Sequence, residues 1–356
     1  MPNHLKRVLV FSGDDASPEA VLPSLEILKA LKLPIEFVEP ELDEKLLLAG
    51  KVPPLLKNQI DGADAVLFGA ASRKALPILL YLRWGLKNYA NLRPVRHIPG
   101  AQSPLKNPER IDYVMVRENL EGLYPGREGN LAELVEMLPN VQDATGQRVG
   151  DLSTHGKFAL RVITEEGTRR IAEFGVEIAK KRKEQGYSGK VSCFTKLNML
   201  KESDGLFQAI VQEVVLKAGL PYDHFIVDDA ARRLVQSPEQ FDVIVTPNLY
   251  GDVLSDVGAA TIGGLGLAPS GCYGGSVPYF EPVHGTAPDL AGKNVINPTA
   301  TLLSSGLMLE YLGFGKEAQR LEAAIYKTYH EGKVLPLDQG GRAKTTEFCQ
   351  EIRKIL

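Results

Sequence analysis

Residues 241–256 read FDVIVTPNLYGDVLSD, and the fold turns on how this run is parsed. FDVIVTP is a short apolar strand closed by Pro247, and NLYGDVLSD begins a new element. A helix opened by Gly251 stacks Asp252 and Asp256 on one face, because residues four apart lie one above the other. Two like charges so placed repel unless something positive sits between them, and paired carboxylate oxygens suit a hard divalent ion such as Mg2+ or Mn2+. Taken alone, such a pair is more often a solvated acidic face.

Working outward, short apolar runs alternate with helical patterns. RVLVFSG, ADAVLFGA, RIDYVMVRE, KVSCFT and FDVIVTP predict strands, and PEAVLPSLEILKAL and TRRIAEFGVEIAKKRKEQG predict helices. This order predicts an α/β fold with a large, mostly parallel sheet covered on both faces. The Gly-, Asn- and Asp-punctuated stretch from Glu121 to Ile163 breaks the rhythm and predicts an inserted, dimer-forming segment. The Gly-rich runs GGLGLAPSG and LGFGKE do not give G-x-G-x-x-G between a strand and a helix, so a Rossmann dinucleotide site is not expected.

Composition sets outer bounds. A chain of 356 residues suits two domains or one large α/β unit, and 44% hydrophobic with 24% charged residues is ordinary for a globular protein. A net charge of -3 without a long basic run argues against nucleic-acid or membrane surfaces. Cys193, Cys272 and Cys349 lack metal-ligand spacing and read as reduced thiols. No signal-like or membrane-spanning apolar segment is evident, so a cytoplasmic location is expected.

After Asp256 the chain runs through EPVHGTAPDLAGKNVINPTA, from Glu281 to Ala300, a long polar stretch of the kind that carries function. Together NLYGDVLSD and HGTAPDLAGKNVINP resemble the β-decarboxylating dehydrogenases, namely isocitrate, 3-isopropylmalate, homoisocitrate and tartrate/D-malate dehydrogenases. The resemblance covers nearly the whole chain, weakening mainly before Tyr81. It implies a two-domain fold, with residues 1–100 plus 255–356 forming a cofactor-binding domain and 101–254 a second domain. The active site lies in the cleft between them.

The resemblance also assigns residues. Asp252, Asp256 and Asp228 are the metal carboxylates. Arg83, Arg93 and Arg117 hold the two carboxylates of a malate-like substrate, a task that suits the forked guanidinium. Tyr124 and Lys196 are the catalytic acid and base, and each needs a metal or cationic neighbour and partial burial to lower its pKa. Lys196 and Asp228 are expected to serve the partner subunit's site, so a homodimer is implied. His284, Gly285, Thr286, Ala287, Asp289 and Asn297 wrap the dinucleotide, with Asp289 on the ribose hydroxyls. A carboxylate there repels a 2′-phosphate and favours NAD. The implied reaction is NAD- and metal-dependent oxidative decarboxylation of a 3-substituted malate.

Specificity in this family is set just before Arg83. Where isocitrate users carry a serine, an asparagine or, for homoisocitrate, an arginine, this chain has Pro77, Leu79 and Leu80. An unpaired third carboxylate against these would be costly, whereas each buried CH2 of an alkyl group returns roughly 0.8 kcal/mol. An alkyl or small substituent is therefore expected, as in 3-isopropylmalate or D-malate. The glutamate of 3-isopropylmalate enzymes is replaced by Leu76. The chain also carries SGDDASPE (Ser12–Glu19) for PGDGIGPE, FGAASRKALP after the second predicted strand, and TKLN for HKAN, the last closer to the tartrate/D-malate branch. Isocitrate, homoisocitrate and tartrate/D-malate use, a non-catalytic regulatory subunit, and a metal-dependent lyase without redox remain the alternatives.

Overall fold

The computed structural model describes residues 5–356. Ten strands make one sheet in the order Ile35–Val38, Lys6–Phe11, Ala65–Phe68, Tyr279–Pro282, Pro269–Tyr273, Ala90–Arg96, Asp112–Glu118, Val243–Thr246, Val191–Thr195 and Tyr222–Ile226. Six of the nine pairings are parallel, three in each wing. The other three, from Tyr279–Pro282 to Asp112–Glu118, are antiparallel and join the wings. The sheet is thus mostly parallel, with an antiparallel seam at its centre.

Burial explains the wings. Ala65–Phe68, Val191–Thr195 and Val243–Thr246 are buried along their whole length, as expected of parallel strands covered by helices on both faces. The helix Ser17–Ala30 covers one wing and Glu165–Glu184 the other. The latter starts at Thr164, whose hydroxyl accepts from the Gly167 amide at 3.0 Å, and carries acidic residues in its first turn and basic ones in its last, which complements the helix dipole. Cys193, Cys272 and Cys349 are buried and unpaired.

Between Glu121 and Ile163 the chain leaves the main sheet for a small two-stranded one, Glu128–Asn130 with Lys157–Ala159, and Met137, Val141 and Leu160 are exposed. No helix among the described residues is long and apolar enough to cross a membrane.

One boundary differs from expectation. The helix carrying the aspartate pair does not open at Gly251 but runs Asn248–Ile262, directly after Pro247. Gly251 lies inside its first turn, where a Cβ would stand 2.7 Å from Cγ of Arg117. Glycine therefore serves close approach of helix to strand, not helix initiation. The helix also runs across the domain boundary expected between residues 254 and 255.

Candidate active site

The central seam places the arginines. Asn91 pairs with Arg117 and Arg93 with Met115 on adjacent antiparallel strands, so Asn91, Arg93 and Arg117 share one face of the sheet. The helix Asn248–Ile262 crosses that face. Arg117 donates from Nε and Nη2 to Oδ1 of Asn248 at 3.0 and 2.7 Å and pairs through Nη1 with Asp252. Arg93 donates to Oδ1 of Asn91 and to Oγ of Ser255, each at 2.5 Å, and lies 3.2 Å from Asp252 and 4.0 Å from Asp256. Arg83 sits in a π-helical turn, Tyr81–Gly85, donates to the Tyr279 hydroxyl at 3.2 Å and faces Glu281 at 3.6 Å.

Two buried guanidiniums, with the part-buried Arg83 nearby, make the site strongly cationic. Burial, with Arg93 and Arg83 nearby, pushes Arg117 down to about 9 although Asp252 opposes this. An arginine keeps its proton near neutrality, so the shift registers as a need for negative charge. A substrate bearing two carboxylates would meet it.

Tyr124 completes the cluster. Its hydroxyl donates to Oδ2 of Asp252 at 2.7 Å, and its ring centroid lies 5.3 Å from the Arg117 guanidinium. The turn bearing it is fixed by Glu118, which accepts from the amides of Leu120 and Glu121 at 2.9 and 2.7 Å. A further tie runs from Asn248 Nδ2 to the Glu121 carbonyl at 3.0 Å. Burial and the Asp252 carboxylate outweigh the two arginines and push the Tyr124 hydroxyl up to about 12.

The aspartate pair divides electrostatically. Burial works against Asp252, but Arg117 and Arg93 hold its carboxyl below the usual range. Asp256 is raised by burial, is only partly relieved by Arg93, and feels repulsion from Asp252. Their all-oxygen donor set, on one helix face, fits a hard divalent cation. No group of three or more ligating side chains occurs among the described residues. Asp228 lies apart from the pair, in an ion pair with Nζ of Lys196.

The His284–Asn297 loop lies against the N-terminal turn. The Ala16 amide donates to the Thr286 carbonyl at 3.0 Å, and Glu19 accepts from the amides of Gly292 and Asn294. Ala287 is left-handed at φ 49°, and Gly285 and Asp289 are exposed. His284 Nδ1 is 2.9 Å from the Gly285 carbonyl, and burial lowers its pKa. Its Nε2 is buried without a partner. An orphaned imidazole nitrogen beside exposed backbone fits a polar ligand such as a dinucleotide. Asn297 behaves otherwise, with its amide engaged by Asp338, Tyr329 and the Thr299 amide, so it braces the loop from within.

The altered N-terminal run has a structural role. Asp14 accepts from the amides of Ser72, Arg73 and Ala75 at 2.9 to 3.1 Å, tying the two unusual loops to each other. Ahead of Arg83, Pro77 is buried and Leu79 half-buried, while Leu76 and Leu80 are 39% and 40% exposed. Pro77 is therefore shielded from solvent. Leu76 and Leu80 are the exposed apolar residues of this turn.

The model of the isocitrate/isopropylmalate dehydrogenases matches residues 7–352. The chain belongs to this family. Over 354 residues it is 40% identical to the 3-isopropylmalate/3-methylmalate dehydrogenase of Methanocaldococcus jannaschii, covering 98% of both chains. It is 37% identical to the mitochondrial NAD isocitrate dehydrogenase subunit alpha of Macaca fascicularis, covering 98% of this chain and 94% of the other. Isocitrate dehydrogenase from Methylococcus capsulatus superposes with a TM-score of 0.85 at 28% identity, covering 98% and 99% of the two chains. As a member of the isocitrate/isopropylmalate dehydrogenase family, the protein is an oxidative decarboxylating dehydrogenase. Its family generally uses a divalent metal and NAD or NADP.

Proposed function

We propose that the protein oxidatively decarboxylates a 3-alkylmalate or a small 2-hydroxy dicarboxylate, with NAD and Mg2+ or Mn2+, as a homodimer. The observation that carries this reading is the convergence of Arg93, Arg117, Tyr124 and Asp252 on the helix Asn248–Ile262, with Arg83 near enough to help hold the Asp252 carboxyl down. In this reading the cleft lies between a unit of residues 1–100 plus 255–356 and a second unit of residues 101–254.

Asp252 and Asp256 would hold the cation, joined by Asp228 from the second subunit. His284, Gly285, Thr286, Ala287 and Asp289 would hold the dinucleotide, with Asn297 bracing the loop. When bound, the dinucleotide supplies a hydride acceptor and the cation supplies charge stabilisation at the reacting oxygens.

The chain's own groups do the rest. Arg83, Arg93 and Arg117 bind and orient the substrate carboxylates. Lys196 takes the proton from the C2 hydroxyl as the C2 hydride leaves. Loss of the β-carboxylate as CO2 returns its electron pair to C3, and Tyr124 protonates that carbon. Lys196 and Asp228 are part-exposed and exposed, respectively, and make no hydrogen bond or ion pair to the arginine–aspartate cluster among the described residues, which supports their delivery to a second subunit's cleft.

The test is purified protein with Mn2+, NAD and a panel of 3-isopropylmalate, 3-methylmalate, D-malate, tartrate, isocitrate and homoisocitrate. NADH absorbance and CO2 release are followed together. NADH and CO2 in equal amounts from an alkyl- or unsubstituted malate support the reading. No NADH from any acid overturns it, and CO2 without NADH marks a lyase.

A further inference from the structure

Asp204 is a carboxylate with no exposed surface, in the first turn of the helix Ser203–Lys217, and no step above uses it. Its Oδ2 accepts from the backbone amide of Lys196 at 2.5 Å and from the Tyr250 hydroxyl at 3.3 Å. Its Oδ1 lies 2.5 Å from Nη2 of Arg161. Arg161 also donates to Oγ of Ser203 at 2.7 Å, and its guanidinium lies 5.6 Å from the Tyr250 ring centroid. One buried charge therefore ties together three segments: the strand end bearing Lys196, the aspartate-pair helix two residues before Asp252, and the return of the insert at Arg161.

The Lys196 backbone is held from both sides. Its amide is fixed by Asp204, and its carbonyl accepts from the amides of Met199 and Leu200 at 2.9 Å each. The side chain is then free to vary only beyond Cα, where Nζ meets Asp228. A displacement of the Asp204 carboxylate would carry the Lys196 Cα with it, and proton transfer is sensitive to such shifts.

We propose that Asp204 is a positioning residue for Lys196, and that Arg161 holds Asp204 in place so that the insert and the base are mechanically coupled. This rests on the reading of Lys196 as the base. An uncharged side chain at 204 would still accept from the Lys196 amide but would release Arg161, loosening the anchor without touching substrate.

The experiment is a double-mutant cycle on kcat and KM with the preferred malate, at saturating NAD and Mn2+. Asp204→Asn is expected to lower kcat by about 10- to 100-fold with the malate KM within about threefold. On top of Lys196→Ala the same change is expected to cost less than about twofold, because a misplaced base no longer matters once it is absent. Arg161→Gln is the milder companion should Asp204→Asn fold poorly. It is expected to give a smaller kcat loss that likewise vanishes beside Lys196→Ala. Recurrence of the full Asp204→Asn or Arg161→Gln factor in the Lys196→Ala background would overturn the proposal while leaving Lys196 as the base. Full activity of Lys196→Ala alone would overturn both.

Discussion

The phenol of Tyr124 and one oxygen of Asp252 are joined by a 2.7 Å hydrogen bond, while the other oxygen of that carboxylate is taken by Arg117. Asp252 thus links the proposed proton donor to Arg117 and Arg93, and a cation bound there would compete with these partners. Tyr124→Phe removes only the donor. It is expected to lower kcat by about 10²- to 10⁴-fold and to change stability by about 1 kcal/mol. Steady-state kinetics alongside thermal melting check this, and unchanged turnover in a folded variant would remove Tyr124 from the mechanism.

The two aspartates should respond differently to neutralisation. Asp252 lies between Arg93 and Arg117, so Asp252→Asn leaves two buried guanidiniums undercompensated. Breaking a buried pair costs about 3–5 kcal/mol, and the one-third exposure of Asp252 reduces this to about 1–3 kcal/mol. Asp256 is 4.0 Å from Arg93 and repelled by Asp252, so Asp256→Asn is expected to leave the metal-free protein as stable or slightly more so. Mn2+ is expected to raise the melting temperature of the parent, and both changes should abolish that rise. A melting curve series with EDTA or Mn2+ decides it, and an intact Mn2+ response in both variants would remove the pair as cation ligands.

How far these relations were legible depends on what carries them. The aspartate pair is visible in sequence as a four-residue spacing, and the three arginines stand out only through the resemblance of the stretches around them to the family's. The antiparallel seam does not, because Ala90–Arg96 and Pro269–Tyr273 contain Asn91, Arg93, Pro94, Ser270 and Gly271 and lack an apolar run. Asn248, Ser255, Glu281 and Asp204 were equally hidden as partners. Asn248 is 131 residues from Arg117, and Ser255 is 162 from Arg93, and a polar side chain reveals its role only when the fold sets its partner opposite. Asn248 stood inside the quoted motif, yet nothing local says that its carbonyl would receive a guanidinium.

Glu118 gives a pH dependence of stability. Burial raises its carboxyl from 4.5 to about 7, although the Leu120 and Glu121 amides oppose this. A carboxyl raised in the folded state binds its proton more tightly there than in the unfolded chain. Its favourable contribution is complete below about 4.5 and is lost as pH rises through about 7, a change of about 3 kcal/mol. Glu118→Gln cannot titrate, so the difference between parent and variant melting temperatures should change between pH 4.5 and 7 and stay flat above about 8. A difference that is constant from pH 4 to 8 would place the Glu118 carboxyl at its ordinary value.

Asp289 is exposed on the loop that begins at the orphaned His284 nitrogen. In the proposed reading, Asp289→Ala removes both an acceptor for ribose hydroxyls and the repulsion of a 2′-phosphate. It is expected to weaken NAD binding about tenfold and to narrow the NAD over NADP preference, read as Kd by titration calorimetry. An unmoved ratio would detach the loop from cofactor selection.

In the proposed reading, substrate choice turns on the exposed leucines before Arg83. Leu80 is 40% exposed and Leu76 39%, while Pro77 is buried and Leu79 half-buried. An isopropyl group covering Leu76 and Leu80 would gain roughly 0.8 kcal/mol per buried CH2. A third carboxylate in the same place would lose hydration with no partner, at a cost of several kcal/mol. The kcat/KM for an alkyl- or unsubstituted malate should therefore exceed that for isocitrate by at least about tenfold. Leu80→Arg supplies the missing cation one turn from Arg83 and is expected to raise kcat/KM for isocitrate or homoisocitrate while lowering it for 3-isopropylmalate. Leu80→Ala should lower activity on 3-isopropylmalate more than on D-malate, since only the former has an alkyl group to bury. A parent enzyme faster on isocitrate than on every alkyl- or unsubstituted malate would show that these leucines do not face the substrate.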